Sequence, residues 1–160
     1  MSQAVNLRPI LPKDAEELAE LFALSIELLT QNEYTEERRL AWMSAAADEK
    51  EFYGKLAKQL TILAEGDGEI AGFASLTESA IGMCYVHPEH AFLGVGSALI
   101  DALEKLAKAR KVEKLFVDAS DTAVEFFKKR GFEAQSRNTV VRLEVTLPNT
   151  TMIKSLADKN

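Results

Sequence analysis

One stretch near the middle of the chain, from Met83 to Ala109, constrains the fold most strongly. It begins as a β-type run, and Pro88 then ends regular strand pairing because proline has no backbone N–H. Gly94 and Gly96 follow, after which apolar residues recur at helical spacing. A strand that leads through glycines into a helix leaves backbone N–H groups unpaired at the positive end of the helix dipole. The stretch therefore predicts a site for phosphate or another anion.

The remaining residues alternate between helical and β patterns in an order that is typical of an α/β protein. Three helical segments lie between residues 13 and 58, with Asp14 as the expected N-cap of the first. A later helix at 122–130 begins with Thr122 and Glu125 at capping-box spacing. We expect a mixed, mostly antiparallel central sheet of six to seven strands with helices on both faces. The predicted strands are 6–10, 60–65, 69–76, 81–86, 114–118, 132–143 and 145–153.

The charge balance limits the kinds of partner. The net charge is −6, which argues against a nucleic acid or an anionic membrane. Residues 1–80 contain 7 basic and 15 acidic side chains, whereas residues 81–160 contain 12 basic and 10 acidic ones. The half that contains the glycines is therefore the more tolerant of an anionic ligand.

Cysteine usage and the first residues indicate the compartment. Cys84 is the only cysteine, so the chain forms no internal disulfide and no multi-cysteine metal site. The sequence MSQAVNLRPI lacks the basic and then apolar order of a signal peptide. We therefore expect a cytoplasmic protein.

Two segments of the chain carry recognisable motifs. The first is VHPE at residues 86–89 followed by GVGSAL at 94–99, and the second is VDAS at 117–120, followed by Ala123, Phe126-Phe127 and Gly131-Phe132. Together, in this order, they resemble the GCN5-related N-acetyltransferases, in particular small bacterial members, and the first resembles the acetyl-CoA loop of the family. The resemblance covers most of the chain and implies the acyl-CoA N-acyltransferase fold. It implies a single domain of residues 1–160, with acceptor-side helices at about 13–58, an acyl-CoA-binding core at about 60–132 and terminal strands at about 132–154.

The resemblance also assigns the site. Acetyl-CoA is the implied cosubstrate, and Ser120 is the implied catalytic hydroxyl. Tyr34 and Trp42 are expected to contact the acceptor, and no metal is expected. The residues expected to bind acetyl-CoA are Tyr85, Val86, His87, Ala91, Phe92, Leu93, Gly94, Val95, Gly96, Ser97, Ser120 and Phe127.

Four positions depart from the pattern of the family. Ala91 stands where Arg or Gln is usual, and Phe92 where Gly is common, so pyrophosphate binding would rely on backbone N–H groups. Ser120 occupies a frequent Asn position. Phe127 replaces the tyrosine that often protonates the departing thiolate, and phenylalanine has no proton to give. The usual assignment of the acid therefore does not carry over, and solvent or Ser120 is the expected proton donor.

These assignments leave alternatives open. Ser120 could instead cap the following helix, and Tyr85 or Tyr53 could be the acid. Glu33, Glu78 and Glu89 are candidate bases. His87 is another, although we favour the interpretation that it is an ordinary loop residue. Histidines at 87 and 90 with Glu89 have poor spacing for a metal site.

The resemblance implies transfer of an acetyl group from acetyl-CoA to a primary amine of a small molecule or peptide by direct attack. The alternative is a non-catalytic module that binds or senses acyl-CoA. A dimerisation domain without a ligand is a third interpretation, and the family resemblance leaves a homodimer open for the enzyme as well.

Overall fold

A computed structural model describes residues 4–157, whose strands form one seven-stranded sheet in the order β1-β2-β3-β4-β5-β7-β6. All neighbouring strands are antiparallel except β4 and β5, which are parallel. This confirms the mixed, mostly antiparallel sheet. The strands are β1 (Asn6–Pro9), β2 (Leu60–Gly66), β3 (Glu69–Thr77), β4 (Ala80–Val86), β5 (Lys114–Ser120), β6 (Glu133–Arg142) and β7 (Val145–Ser155).

Five α-helices are connected to this sheet within the described residues. Thr35 begins α2 by accepting a hydrogen bond from the N–H of Arg38, and Asp48 begins α3 by accepting from the N–H groups of Lys50 and Glu51. The helices are α1 (Ala15–Leu29), α2 (Glu36–Met43), α3 (Glu49–Ala57), α4 (Val95–Ala109) and α5 (Val124–Lys129). None of the helices in residues 4–157 is long and apolar enough to cross a membrane.

Two hydrophobic cores lie on opposite faces of the sheet. One contains the apolar face of α4, including Leu99 and Leu103, packed on β3 and β4. The other contains α1 and α3, where the rings of Phe22 and Phe52 have centroids 4.9 Å apart. Helices therefore cover both faces, as the amphipathic patterns predicted.

The expected side-chain caps of α1 and α5 are wrong. The carboxylate of Asp14 does not cap α1, because it accepts hydrogen bonds from Arg8 at 2.9 Å and from the N–H of Leu11 at 2.7 Å. Thr122 does not form a capping box either, because α5 begins at Val124 with Ala123 as its N-cap residue and has no side-chain cap. Arg8 and Leu11 occupy the carboxylate of Asp14, whereas the hydroxyl oxygen of Thr122 has no hydrogen-bond partner among the described residues.

The parallel pair β4 and β5 separates almost as soon as it forms. Only Ala80 with Phe116 and Ile81 with Val117 are paired. Beyond them β4 continues to pair with β3, and β5 with β7, so the two strands diverge. The sheet consequently contains an internal gap lined by the second half of β4 and the end of β5.

Candidate functional site

Two cavities meet at the gap between β4 and β5. A cavity of about 440 Å3 lies against the glycine turn and is called the loop cavity here. A second, of about 340 Å3, lies against the hairpin of β6 and β7 and is called the hairpin cavity. Six residues line both: Trp42, Cys84, Tyr85, Ser120, Ala123 and Phe127. Molecules in the two cavities would therefore meet at these six residues, which are called the junction here.

The glycine turn supplies free backbone donors to the loop cavity. Gly94 has a φ of +85°, a conformation that glycine adopts without strain, and it precedes α4 directly. The first backbone bond of the helix runs from the N–H of Ala98 to the oxygen of Gly94. Within residues 4–157 we find no protein acceptor for the N–H groups of Val95, Gly96 and Ser97. These donors and the helix dipole suit an anion.

Phe92 makes the turn unusual. It has a φ of +64°, which is rare for a bulky residue, and its side chain is 97% exposed. The ring lines the loop cavity and packs against no core. At this position, where the sequence resemblance implies a glycine, the chain therefore keeps a left-handed backbone conformation and places an aromatic side chain at the rim of the cavity.

Other features of the loop cavity fit a phosphate-bearing, elongated ligand such as acetyl-CoA. The hydroxyl oxygen of Thr122 is buried and has no hydrogen-bond partner among the described residues, so a ligand group could satisfy it. A Cβ at Gly96 would lie 3.5 Å from the ring of Phe126 and 3.7 Å from a methyl of Val86, so glycine keeps this space open. No charged side chain of residues 4–157 lines this cavity, which leaves the backbone to hold an anion.

Two basic residues at the end of α5 form ion pairs within the protein and do not line the loop cavity. Lys128 lies 3.6 Å from Glu125, and Arg130 forms ion pairs with Asp101 and Glu104. The basic end of α5 thus binds acidic groups of the protein rather than lining the loop cavity.

Two hydroxyl groups lie at the junction. The Tyr85 oxygen accepts a hydrogen bond of 3.1 Å from Nε1 of Trp42, and burial raises the pKa of this phenol. The Ser120 oxygen accepts from the N–H of Ala123 at 3.3 Å. In the part of the chain that the structure describes, neither hydroxyl proton has an acceptor. Both groups can therefore donate to a ligand.

Cys84 also lies at the junction but is a poor nucleophile. Burial raises the pKa of its thiol to about 12. The thiol therefore stays protonated near neutral pH, and only the thiolate attacks carbonyl groups efficiently.

An aromatic wall separates the hairpin cavity from the core of α1 and α3. The rings of Tyr34 and Trp42 have centroids 5.3 Å apart, and those of Trp42 and Tyr85 are 6.2 Å apart. The Tyr34 hydroxyl donates to the oxygen of Pro148 at 2.6 Å and accepts from the N–H of Asp121 at 2.8 Å. Its ring thus lines the cavity while its hydroxyl fixes the wall to β7 and to the turn before α5.

The lining of the hairpin cavity contains polar residues that the sequence prediction missed. Asp118 lines the cavity and accepts a 2.6 Å hydrogen bond from the hydroxyl of Thr151, which in turn accepts from Asn138. Arg142, at the end of β6, lines the same cavity. Strand alternation could have placed Asp118 beside Ser120, but only the fold brings Arg142 there.

Most of the predicted site residues surround these cavities. Tyr34 and Trp42 line the hairpin cavity, and His87, Leu93 and the candidate bases Glu33, Glu78 and Glu89 line neither. The backbone N–H of His87 donates to the oxygen of Ala71 at 2.8 Å, so this residue supports the turn. The predicted cofactor residues that line the loop cavity are Tyr85, Val86, Ala91, Phe92, Gly94, Val95, Gly96, Ser97, Ser120 and Phe127.

The histidine-containing turn offers a weak set of metal ligands. Glu69, His87 and Glu89 bring one ligand atom each to within 4.8 Å of one another. However, Nδ1 of His87 accepts the N–H of Glu89, so a neutral ring carries its proton on Nε2 and offers no lone pair there. Glu69 lies 2.6 Å from Nε2 of the buried His90. The contacts favour a role in positioning the turn.

Comparisons with known proteins agree on one family. A family model described as an acetyltransferase (GNAT) domain matches residues 30–155. The chain is 32% identical over 136 residues to YafP of Escherichia coli strain K12, an uncharacterized N-acetyltransferase, covering 85% of this chain and 86% of that protein.

Solved structures show the same fold. A GCN5-related N-acetyltransferase from Rhodopseudomonas palustris, described as "Aminotransferase, Class-II", is 52% identical, with a TM-score of 0.94 over 97% of this chain and 98% of the other. The PaiA N-acetyltransferase of Thermoplasma acidophilum, solved with coenzyme A, is 18% identical, with a TM-score of 0.79 over 95% of this chain and 99% of the other.

Proposed function

Because this chain belongs to the acetyltransferase (GNAT) family, we propose that it transfers the acetyl group of acetyl-CoA directly to a primary amine. The observation that carries the proposal is the meeting of two cavities at a gap in the sheet. One cavity offers backbone donors for an anion, and the other offers an aromatic and polar wall. In this proposal the chain is one domain, in which residues 13–58 help to form the acceptor side and residues 60–132 hold acetyl-CoA.

Binding of acetyl-CoA would use the backbone more than side chains. The N–H groups at the start of α4 would hold the pyrophosphate. The edge of β4 that β5 leaves unpaired would bind the amides of the pantetheine arm, as an added strand does. The PaiA protein, which shares this fold and was solved with coenzyme A, supports binding of the cosubstrate.

Direct attack is favoured over a covalent acetyl-enzyme. The amine nitrogen would form a bond to the acetyl carbon, the carbon–sulfur bond would break, and the sulfur would leave as coenzyme A. Cys84 is the thiol at the junction, and its raised pKa keeps it protonated. Backbone N–H groups near the gap would polarise the carbonyl oxygen.

Protons would pass through residues at the junction. Ser120 would donate to the departing sulfur, and Tyr85 is a second donor that lines both cavities. Asp118 is the carboxylate that lines the hairpin cavity among the described residues, so it replaces the three glutamates as the candidate acceptor of the amine proton.

The experiment is a measurement of coenzyme A release with a panel of primary amines, together with the melting temperature in acetyl-CoA. We expect acetyl-CoA to raise the melting temperature and at least one amine class to be acetylated at enzyme-like concentrations. A thermal shift without acetylation of any amine would favour the sensing module. The absence of any shift would favour a dimerisation domain without a ligand.

Phe127→Tyr should leave kcat within about tenfold of the parent. Phe127 is buried, and its ring packs edge-on against Phe126 and Phe132 at 5.1 and 5.2 Å. Since Ser120 and Tyr85 can already supply a proton, a further hydroxyl adds little. Steady-state coenzyme A release at saturating substrates measures the effect. A hundredfold gain would show that the parent protein lacks an effective acid.

A further inference from the structure

We propose that the acceptor amine belongs to a molecule that also carries a carboxylate, and that Arg142 binds this carboxylate in the hairpin cavity. The inference rests on the proposed acetyl transfer and names the chemical class of its acceptor. The observations that carry it are the contacts of Arg142 and the distribution of charge around the cavity.

Arg142 is held by one edge of its guanidinium group. Its Nε donates a 2.8 Å hydrogen bond to the hydroxyl oxygen of Ser44, and that hydroxyl donates to the oxygen of Ala41 at 2.5 Å. The chain of bonds joins the end of β6 to the end of α2. Because the guanidinium is planar, fixing Nε also fixes the plane of the remaining donors.

The other two nitrogen atoms remain available. Among residues 4–157 we find no acceptor for either Nη atom of Arg142. The residue is half-buried and lines the hairpin cavity. A guanidinium that is already oriented and still has donors free matches the two oxygens of a carboxylate.

The charges around the cavity are complementary to a molecule whose amine and carboxylate are well separated. Arg142 is the basic residue, and Asp118 the acidic residue, among the described residues that line it, and they pair with β7 residues six positions apart, Val145 and Thr151. One oxygen of Asp118 is bonded to Thr151, which orients the carboxylate. A carboxylate on the acceptor would be attracted by Arg142, and its amine by Asp118.

The surface between the two charged groups is largely apolar. Trp42, Leu147 and Pro148 line it, together with the more exposed Val140. An acceptor with a hydrocarbon or aromatic body between or beside its two charged groups would bury that body here. The predicted class is therefore a carboxylate-bearing primary amine with an apolar portion.

The test compares each acid with its own amide. Wild-type protein is assayed for coenzyme A release with α-amino acids, ω-amino acids of increasing length and short peptides, each with a free carboxylate or a carboxamide. We expect kcat/KM to be about 10- to 100-fold higher for the acid in the preferred series, as for loss of a charge-assisted hydrogen bond. The preferred series distinguishes a free amino acid from a peptide.

Variants at residue 142 test whether Arg142 causes the preference for the acid over the amide. Arg142→Gln should remove the preference for the acid mainly through a higher KM, and Arg142→Lys should restore part of it. Arg137→Gln is the matched control, since Arg137 lies on the same strand but pairs with Asp121 outside the cavity lining. It should keep the preference.

Two results would overturn the inference while leaving acetyl transfer intact. One is equal kcat/KM for acids and amides, and the other is an unchanged preference in Arg142→Gln. If no amine is acetylated, the proposed function fails, and the thermal shift with N-acetylated acids and their amides then tests Arg142 separately. Stabilisation by the acids alone, lost in Arg142→Gln, would support the carboxylate site, and equal stabilisation by both would refute it.

Discussion

Gly94→Glu should abolish the rise in melting temperature that acetyl-CoA gives to the parent protein. The substitution puts a bulky carboxylate directly before the N–H groups of α4, where the pyrophosphate would lie. For the parent, ligand at a hundred times its Kd stabilises by about 2.7 kcal/mol, or roughly 5 to 10 °C for a chain of this length. Differential scanning fluorimetry with and without acetyl-CoA measures the difference.

Gly68→Glu is the matched control for this experiment. Gly68 has a φ of +80° and Gly94 one of +85°, so both substitutions force a side chain into the left-handed region and add one negative charge. A Cβ at Gly68 would meet no atom within 4 Å, because the residue lies in the turn between β2 and β3. We expect both variants to lose similar intrinsic stability, about 1 to 2 kcal/mol, and only Gly68→Glu to keep the ligand shift. An intact shift in Gly94→Glu would place the pyrophosphate elsewhere.

Gly72→Ala should lower the free energy of unfolding by about 1 to 3 kcal/mol, although it adds a single methyl group. The new Cβ would lie 2.9 Å from the backbone oxygen of Tyr85, 3.0 Å from Val95 and 3.1 Å from Leu99. These atoms belong to β4 and to the first turns of α4, so relief of the clash must move an element that borders the gap. Urea unfolding measures the stability, and we expect weaker acetyl-CoA binding in parallel.

Gly54→Ala should change the free energy of unfolding in the opposite direction, although it also replaces a glycine with alanine. Gly54 lies inside α3, and a Cβ there would meet nothing within 4 Å. Alanine should therefore raise stability by about 0.5 to 1 kcal/mol through helix propensity. If Gly72→Ala were as stable as the parent, the close approach of β3 to α4 would be looser than the contacts indicate.

Local patterns predicted the elements of the fold well. Alternating and helical spacing located all seven strands and the five helices, because burial of one face imposes those periods on the sequence. The turn at Gly66-Asp67-Gly68 and the start of α2 at Thr35 follow from residues within four positions of each other.

Side-chain contacts beyond a helical turn could not be predicted in this way. Asp14 has the sequence position of a helix cap, yet Arg8, six residues earlier, binds its carboxylate. Arg142 looks like an ordinary polar residue at a hairpin, and its role depends on Ser44, which lies 98 residues earlier. No local rule relates Arg142 to Ser44, since only the folded chain brings them together.

Ser120 holds the turn before α5 without capping the helix itself. Its oxygen accepts the N–H of Ala123, which is the N-cap residue of α5, and the same hydroxyl lies at the junction. A hydroxyl has one proton to donate and two lone pairs to accept with, so this bond leaves the proton for a ligand and the proposed role as a proton donor stays open to test. The sequence could present these roles only as alternatives.

The early separation of β4 from β5 also determines which molecules can use the exposed backbone of β4. Exposed strand edges commonly recruit strands of other proteins and so promote aggregation. Here the edge lies inside the sheet, and an incoming polypeptide would have to separate two packed halves to reach it. A slender chain with a few amide groups can enter where a polypeptide strand cannot. The fold thus leaves the unpaired backbone groups of β4 available to a small ligand but not to a strand of another protein.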